Sequence, residues 1–193
     1  MNLYIEDPLI PGTKLKKADL DGATGKAFLK KVFLFSDGVM LSQIRDISGI
    51  DGSTLQNWTK RGWVENSVQK KYNMDQVAHI LIINMLRSCI QLDHISFLIQ
   101  YINGRVDDRS DDIISDTELY DAICLCIEKL DTVCRCDEKT VDGVVGEVTA
   151  GYREPVPGAK LRLCTALRII LMYYCSSLVK HHADELLSGV ELR

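Results

Sequence analysis

The 193-residue sequence lacks the residue patterns on which most enzyme active sites are built. It has no Ser-His-Asp arrangement, no glycine-rich phosphate loop and no paired-carboxylate pattern. It also has no internal repeat and no low-complexity tract. Apolar residues make up 46% and charged residues 26%, which is typical of a globular chain. We therefore predict neither an enzyme nor a bound cofactor.

The sequence also lacks the cysteine spacing of disulfide-rich scaffolds and a recognisable signal peptide. The seven cysteines are odd in number, so we predict reduced thiols in a cytoplasmic protein. The pairs Cys124-x-Cys126 and Cys134-x-Cys136 raise the question of a metal site. Cys124 and Cys126 fall on a predicted helix, roughly 200° apart, and cannot easily hold one ion. Cys134 and Cys136 fall near a helix end and are better placed. Metal or redox sensing stays an alternative, with no metal ligand assigned.

Only one long apolar run is present, from Leu163 to Val179. Arg168 lies inside it, and the run is slightly short for a membrane span. We predict a core or subunit-interface helix and no membrane partner.

The charge is unevenly distributed along the chain. Residues 1–106 contain 13 Lys and Arg against 10 Asp and Glu, whereas residues 107–193 contain 10 against 17. A basic half beside an acidic half favours a nucleic-acid contact confined to the first half.

The hydrophobic spacing predicts a mainly α fold with two units, 1–106 and 107–193, divided at the charged segment RVDDRSDDIISD. Segment 1–22, with Pro8, Pro11 and Gly12, is predicted to be an extended arm, and residues 134–158 receive no assignment. Strands are predicted at Trp63–Val64 and Lys71–Tyr72. Helices are predicted at 24–35, 41–48, 52–61, 74–88, 92–102, 117–133 and 160–180.

The second and third predicted helices form a helix-turn-helix unit. Gly49 suits the left-handed turn between them, and Asp51 suits the cap of the second helix. Leu55 and Trp58 share one face of that helix and are predicted to anchor it to the core. The opposite face of the helix then carries a row of outward-facing side chains that can reach base edges or phosphates. The row consists of Ser53, Gln56, Asn57, Lys60 and Arg61.

The order of motifs after this unit resembles the winged helix domain of MerR-type regulators. The segments that carry this resemblance are Thr54-Leu55-Gln56, Lys60-Arg61-Gly62-Trp63, Lys70-Lys71-Tyr72 and Leu92-Asp93-His94-Ile95. The segments GSTLQNWTKRGWVENSVQKKYNMDQVAHILIINMLR and YDAICLCIEKL are similar to the bacterial domain of unknown function family 1836. The similarity is closest over residues 38–103 and extends to about residue 133.

This resemblance implies a MerR-like winged helix-turn-helix with a short β-hairpin wing and additional helices at both ends. It implies a homodimeric transcriptional regulator that places helix 52–61 in the major groove of double-stranded DNA. Apart from the resemblance, we expect the helical C-terminal part either to dimerise or to hold a small-molecule effector between helices such as 117–133 and 160–180. The implied DNA contacts are Ser53, Thr54, Gln56, Asn57, Lys60, Arg61, Lys70, Lys71 and Tyr72. The alternatives are a protein-interaction module that keeps the fold without DNA contact, and a small-molecule or metal sensor.

Overall fold

The protein was analysed in a computed structural model, which describes residues 8–105, 108–133 and 137–190. These residues are mainly helical, with eight α-helices and one antiparallel sheet of two strands, which confirms the mainly α prediction. The first half contains a 3₁₀-helix at Lys17–Leu20, then α1 (Gly25–Val32), β1 (Val39–Met40), α2 (Leu41–Ser48), α3 (Gly52–Lys60), β2 (Lys71–Tyr72), α4 (Met74–Leu86) and α5 (Leu92–Asn103). The second half contains α6 (Asp116–Val133), α7 (Glu138–Val148) and α8 (Ala159–Ser188).

The N-terminal segment is a packed turn, so the prediction of an extended arm was wrong for its described residues. Ile10 is fully buried, and the bridge between Leu9 and Lys16 folds the chain back on itself. The hydroxyl of Tyr120 in α6 donates to the Pro11 carbonyl at 2.7 Å. Burial of one isoleucine and a hydrogen bond to a distant helix hold this segment in the core, and neither is visible as a local pattern.

Helix α4 lies at the centre of the molecule, as its apolar surface predicted. It contacts α2, α5, α6 and α8, and its residues from Gln76 to Ile83 are all buried. Its start is a capping box: the Asn73 side chain accepts from the Gln76 amide, and the Gln76 side chain accepts from the Asn73 amide, both at 2.9 Å. The helix therefore begins where the sequence predicted, and a helix surrounded on all sides needs no polar face.

Helix α6 packs on α1 and α4, and α7 and α8 pack on α6. Four apolar side chains spaced along one face of α6 are buried: Leu119, Ile123, Ile127 and Leu130. One hydrophobic cluster contains side chains from both halves of the chain. The division into units 1–106 and 107–193 stays a prediction of how the chain is organised.

Two helix boundaries differ from the predicted ones, and one helix was not predicted. Helix α1 ends at Val32, and Phe35, which lies inside the predicted range 24–35, is 95% exposed. Helix α8 continues to Ser188, well beyond the apolar run that suggested it. Helix α7 lies in the unassigned segment, where Gly143 and Gly146 weaken the helical signal. Residues 134–136, including Cys134 and Cys136, lie outside the described residues.

The predicted strand at Trp63–Val64 is not present. Lys71–Tyr72 pairs instead with Val39–Met40, with Val39 opposite Tyr72 and Met40 opposite Lys71. The Trp63 amide donates to the Trp58 carbonyl at 3.0 Å, which closes the end of α3. A two-residue strand that pairs about 30 residues away gives no periodic signal in the sequence.

Among the described residues, α8 is the one helix long and apolar enough to cross a membrane by length and composition. Its first half also contributes buried side chains to the core, including Leu163, Leu167 and Leu171. A core helix passes the same test, so this finding is weak evidence for a membrane span.

Candidate nucleic-acid interface

The turn between α2 and α3 forms as its glycine predicted. Gly49 has φ +73°, and its amide donates to the Arg45 carbonyl at 2.9 Å. The buried Ser48 hydroxyl donates to the Ile44 carbonyl, and the Ile50 amide donates to Ser48 Oγ. Ile50 is itself buried, so it fills the angle between the two helices. The side chain of Arg45 is exposed and does not enter the helix crossing.

Helix α3 is anchored by the two side chains that its spacing indicated. Leu55 is 1% exposed and Trp58 is 2% exposed. The helix ends at Lys60, and Gly62, with a φ of +73°, lets the chain reverse after it. These contacts fix the rotation of α3 about its axis and determine which side chains face solvent.

The first turn of α3 carries an acidic cap. Asp51 accepts hydrogen bonds from Ser53 Oγ at 3.0 Å and Thr54 Oγ1 at 2.9 Å. These two hydrogen bonds hold the pKa of the Asp51 carboxyl below its usual range, and the bond from Thr54 contributes most to this shift. The carboxylate therefore places a fixed negative charge at the start of the helix. Both hydroxyl protons are directed at it, which leaves the hydroxyl oxygens as acceptors for a ligand.

The rest of the row is exposed on the face opposite the anchors. Gln56 and Lys60 stack one turn apart, as do Asn57 and Arg61, and all four are exposed. The Arg61 guanidinium lies 5.0 Å from the centre of the Trp63 ring, which fixes its position through a cation–π contact. Amide and cationic groups in this order can read base edges or bind phosphates.

The lysines after α3 lie on a tight hairpin. Val68 and Lys71 exchange two backbone hydrogen bonds of 3.0 and 2.9 Å around Gln69 and Lys70. Gln69 has φ +52° and Lys70 has φ +64°, the geometry of a type I′ turn. Side chains other than glycine, asparagine and aspartate are uncommon in this region, so the turn is strained. It holds Lys70 and Lys71 exposed at the tip.

Tyr72 does not share the exposure of the two lysines. It is 8% exposed, because alternate residues of a strand point to opposite faces and Tyr72 follows the exposed Lys71. Its ring belongs to the core, and we leave it out of the contact surface.

A second arginine lies near the end of α3 and was not predicted. Arg87 follows α4, and its guanidinium lies 5.8 Å from the Trp58 ring centre. With Arg61 and Trp63 it lines a shallow cleft of about 520 Å³ at the start of α5. The available signal in the sequence was an arginine that directly follows a helix of mostly apolar residues. Within the described part of the chain, Arg45, Lys60, Arg61, Lys70, Lys71 and Arg87 form no ion pair with an acidic side chain.

The charged segment that was predicted to be a linker forms a partly buried ionic network. Arg109 lies 3.0 Å from Glu65, 2.8 Å from Asp116 and 3.3 Å from Asp112. His79 Nδ1 lies 3.2 Å from Asp116 Oδ1, and His79 Nε2 lies 2.8 Å from the Trp63 carbonyl. This network joins the chain after α3 to the start of α6. Its partners are far apart in sequence, so no local pattern indicates it.

The network shifts the pKa values of its two aspartates in opposite directions. Burial opposes ionisation of Asp116, but His79 and Arg109 outweigh it and hold its pKa below the usual range. Burial raises the pKa of Asp112, since Arg109 compensates only in part.

The described cysteines do not assemble a metal site. Cys124 and Cys126 are buried, and burial raises the pKa of both thiols to about 12. Among the described residues, no three His, Cys, Asp or Glu side chains converge on one point.

Comparison with known proteins identifies the family of this chain. A family model described as Domain of unknown function (DUF1836) matches residues 27–123, from α1 into α6. The uncharacterized protein YkrK of Bacillus subtilis (strain 168) is 28% identical over 99 residues, which cover 49% of this chain and 41% of that protein. The match thus spans less than half the length of this curated relative. No solved structure matches the chain. Because the family model covers half of the sequence, the chain belongs to the DUF1836 family, a domain of unknown function.

Proposed function

We propose that the protein is a DNA-binding transcriptional regulator of MerR-like type, acting in the cytoplasm, whose helix α3 enters the major groove of double-stranded DNA. The observation that carries this proposal is the orientation of α3. Leu55 and Trp58 are buried on one face, and four amide or cationic side chains are exposed on the other. A short helix held by its apolar face and presenting such a row suits the major groove.

The cations around α3 support the same proposal. Lys60 and Arg61 end the helix, Lys70 and Lys71 occupy the hairpin, and Arg87 lies behind Trp58. None of these forms an ion pair within the described residues, so their charges are available for phosphates. The base-reading groups would be Gln56 and Asn57, with acceptor oxygens from Ser53 and Thr54.

The proposal includes a homodimer. Two copies related by a two-fold axis would present two α3 helices to a pseudo-palindromic site. A small-molecule effector that binds the C-terminal helices could act on α3 through the network of Arg109, Asp116 and His79, since that network contacts the carbonyl of Trp63.

A salt titration on mixed-sequence duplex DNA tests the proposal. With about four phosphate contacts, we expect affinity to fall roughly 100-fold between about 50 and about 200 mM salt. Replacing Lys60, Lys70 and Lys71 with Glu should abolish binding, because three attractive charges become repulsive.

The matched control reverses three charges elsewhere. Lys139, Arg153 and Lys160 lie outside the α2–α3 unit and its hairpin. Their replacement with Glu makes the same change in net charge and should leave most of the affinity intact. Equal losses in the two triple variants would mean that binding depends on net charge alone, and unchanged binding in the first variant would contradict the proposal.

A further inference from the structure

A cleft of about 890 Å³ lies where the matched family domain meets the C-terminal helices. Its first side is formed by the starts of α4 and α6, with Asp75 and Glu118. Its second side is formed by the connection between α7 and α8, with Tyr152 and Arg153. This connection lies beyond residue 123, where the match of the family model ends, so the cleft is a feature of this chain and not of the matched domain. Its volume is in the range of small-molecule sites.

The two carboxylates on the first side of the cleft have bonding capacity left over. Asp75 accepts the Thr117 amide, at 2.9 Å, and the Thr117 hydroxyl, both through Oδ1. Within the described residues, its Oδ2 has no hydrogen-bond or ion-pair partner. Glu118 is exposed, and its contact with Lys26 is long, at 3.8 Å. Because Thr117 is adjacent to Glu118, both carboxylates lie at the start of α6 and are available to cationic groups of a ligand.

The other acidic side chains that line the cleft are already paired. Glu65 lies 3.0 Å and Asp112 lies 3.3 Å from the Arg109 guanidinium. The same guanidinium also contacts the buried Asp116 at 2.8 Å. Arg109 therefore has no capacity left for an anionic ligand, and Glu65 and Asp112 have little left for a cationic one.

The second side of the cleft offers one available cation. Arg153 is exposed, and it forms no ion pair within the part of the chain that the structure describes. The Tyr152 hydroxyl donates to the Ile113 carbonyl at 2.7 Å, which ties the connection to the segment before α6. This bond holds the half-buried Tyr152 ring in the cleft beside the buried Ile113 and Ile114. The ring supplies an apolar surface that can also attract a cation.

We propose that this cleft binds an amino acid with a basic side chain. The α-carboxylate of the ligand pairs with Arg153, and its two cationic groups pair with Asp75 and Glu118. The aliphatic part of its side chain lies on the Tyr152 ring. Two available carboxylates and one available guanidinium require a ligand with two positive groups and one negative group. Arginine and lysine have this set of charges at neutral pH.

Ligands with other sets of charges are less complementary to the cleft. An acidic amino acid brings a second carboxylate close to Asp75 and Glu118, where like charges repel. A diamine pairs with both carboxylates but leaves Arg153 without a partner. A neutral amino acid pairs with Arg153 but leaves one of the two carboxylates unpaired.

The cleft is also connected to the end of α3. Glu65 contacts Arg109, Arg109 contacts Asp116, and the other oxygen of Asp116 lies 3.2 Å from His79. A ligand in the cleft is therefore suited to be the effector of the proposed regulator. That role rests on the proposed function, whereas binding of the ligand does not and is tested without DNA. Failure of ligand binding and failure of DNA binding are thus distinguishable.

An NMR titration of the full-length protein without DNA tests the site. We expect L-arginine and L-lysine to bind with a Kd below about 1 mM and to shift the amide signals of Gly151, Tyr152 and Arg153. Agmatine is L-arginine without the carboxylate, and L-citrulline has a neutral side chain of similar shape. Each should bind at least about tenfold more weakly than L-arginine. Absence of binding by both basic amino acids, or binding of agmatine or L-citrulline as tight as that of L-arginine, would overturn the proposal.

Two variants assign the contacts within the cleft. Arg153→Gln should weaken the binding of L-arginine about tenfold but should not weaken that of agmatine, which has no carboxylate to pair. Glu118→Gln should weaken the binding of both compounds about tenfold, because both carry the cationic groups.

The matched controls remove one charge of each sign outside the cleft. Lys139→Gln and Glu147→Gln change exposed side chains of α7 and should leave both affinities unchanged. Circular dichroism checks that every variant is folded. Equal losses in the cleft variants and the controls, or a parallel loss of L-arginine and agmatine binding in Arg153→Gln, would refute the assigned pairing.

Discussion

At the scale of single residues, the candidate site contains a charge that opposes its proposed function. Asp51 caps α3 and holds the hydroxyls of Ser53 and Thr54, and its lowered pKa keeps it ionised at neutral pH. A carboxylate at this point offsets the positive end of the helix and repels phosphate. The sequence predicted the cap, but it could not show that the carboxylate binds side-chain hydroxyls instead of backbone amides.

Asp51→Asn should therefore strengthen DNA binding by about threefold to tenfold at low salt, because it removes one charge that repels phosphate. Asparagine removes the charge and keeps one acceptor oxygen, which can serve one of the two hydroxyls, and it is a favoured N-cap residue, so α3 should keep its start. Fluorescence anisotropy with mixed-sequence duplex DNA measures the change. Glu147→Gln removes an exposed charge far from α3 in the sequence and serves as the control. Weaker binding by Asp51→Asn would show that the carboxylate helps to position the site.

At the scale of elements, local sequence patterns predicted the helices. The pairing of the sheet was missed because its two strands lie far apart in the sequence. Helix α2, the Gly49 turn and the capped start of α4 agree with prediction because each depends on residues within one or two turns. The two-stranded sheet was only half predicted, since the partner of Lys71–Tyr72 lies before α2 at Val39–Met40. The type I′ turn of the hairpin was also missed, because Gln69 and Lys70 do not have the composition that such turns favour.

The strained turn at Gln69 and Lys70 predicts that one substitution can raise the stability of the fold and weaken DNA binding. Lys70→Gly should stabilise the protein by about 1 kcal/mol, because glycine adopts φ near +64° without the cost that lysine incurs. In a protein of this size the Tm should rise by roughly 2–4 °C. The same variant should bind DNA more weakly, with a salt slope smaller by about one phosphate contact.

Thermal unfolding and a salt titration on the same sample measure the two effects. Lys139→Gly is the control, since it removes an exposed lysine from α7 and should lower stability without changing the salt slope. If Lys70→Gly raised the Tm and left DNA binding intact, the hairpin would lie outside the contact surface.

At the scale of the whole molecule, the two halves of the chain are joined by a partly buried ionic network. The sequence indicated a charged linker at residues 105–116, because its Asp and Arg residues match the composition of exposed segments. Instead, Arg109 contacts Glu65 and Asp116 contacts His79, both from the first half. Such contacts form only after α4 and α6 have packed together, so composition cannot show them. The match of the family model likewise continues through this segment into α6.

The opposite pKa shifts of Asp116 and Asp112 predict that neutralising Asp116 destabilises the protein much more than neutralising Asp112. The folded pKa of Asp116 lies below its unfolded value near 3.8, so its ionised form stabilises the fold above that pH. This stability is lost as pH falls from about 4 through the folded pKa. At pH 7, Asp116→Asn should therefore lower the free energy of unfolding by about 3 kcal/mol, since it leaves Arg109 and His79 without their buried partner.

Asp112→Asn is the matched control in the same network. The folded pKa of Asp112 is raised by burial, so its ionised form weakens the fold, and neutralising it should cost less than about 1 kcal/mol at pH 7. Urea unfolding at pH 7 and at about pH 3.5 measures both variants beside the wild type. The gap between wild type and Asp116→Asn should narrow at the lower pH, because protonation of this carboxylate in the unfolded wild-type chain then favours unfolding. Equal losses in the two variants at pH 7, or a gap that does not depend on pH, would show that Asp116 acts through packing and not through its charge.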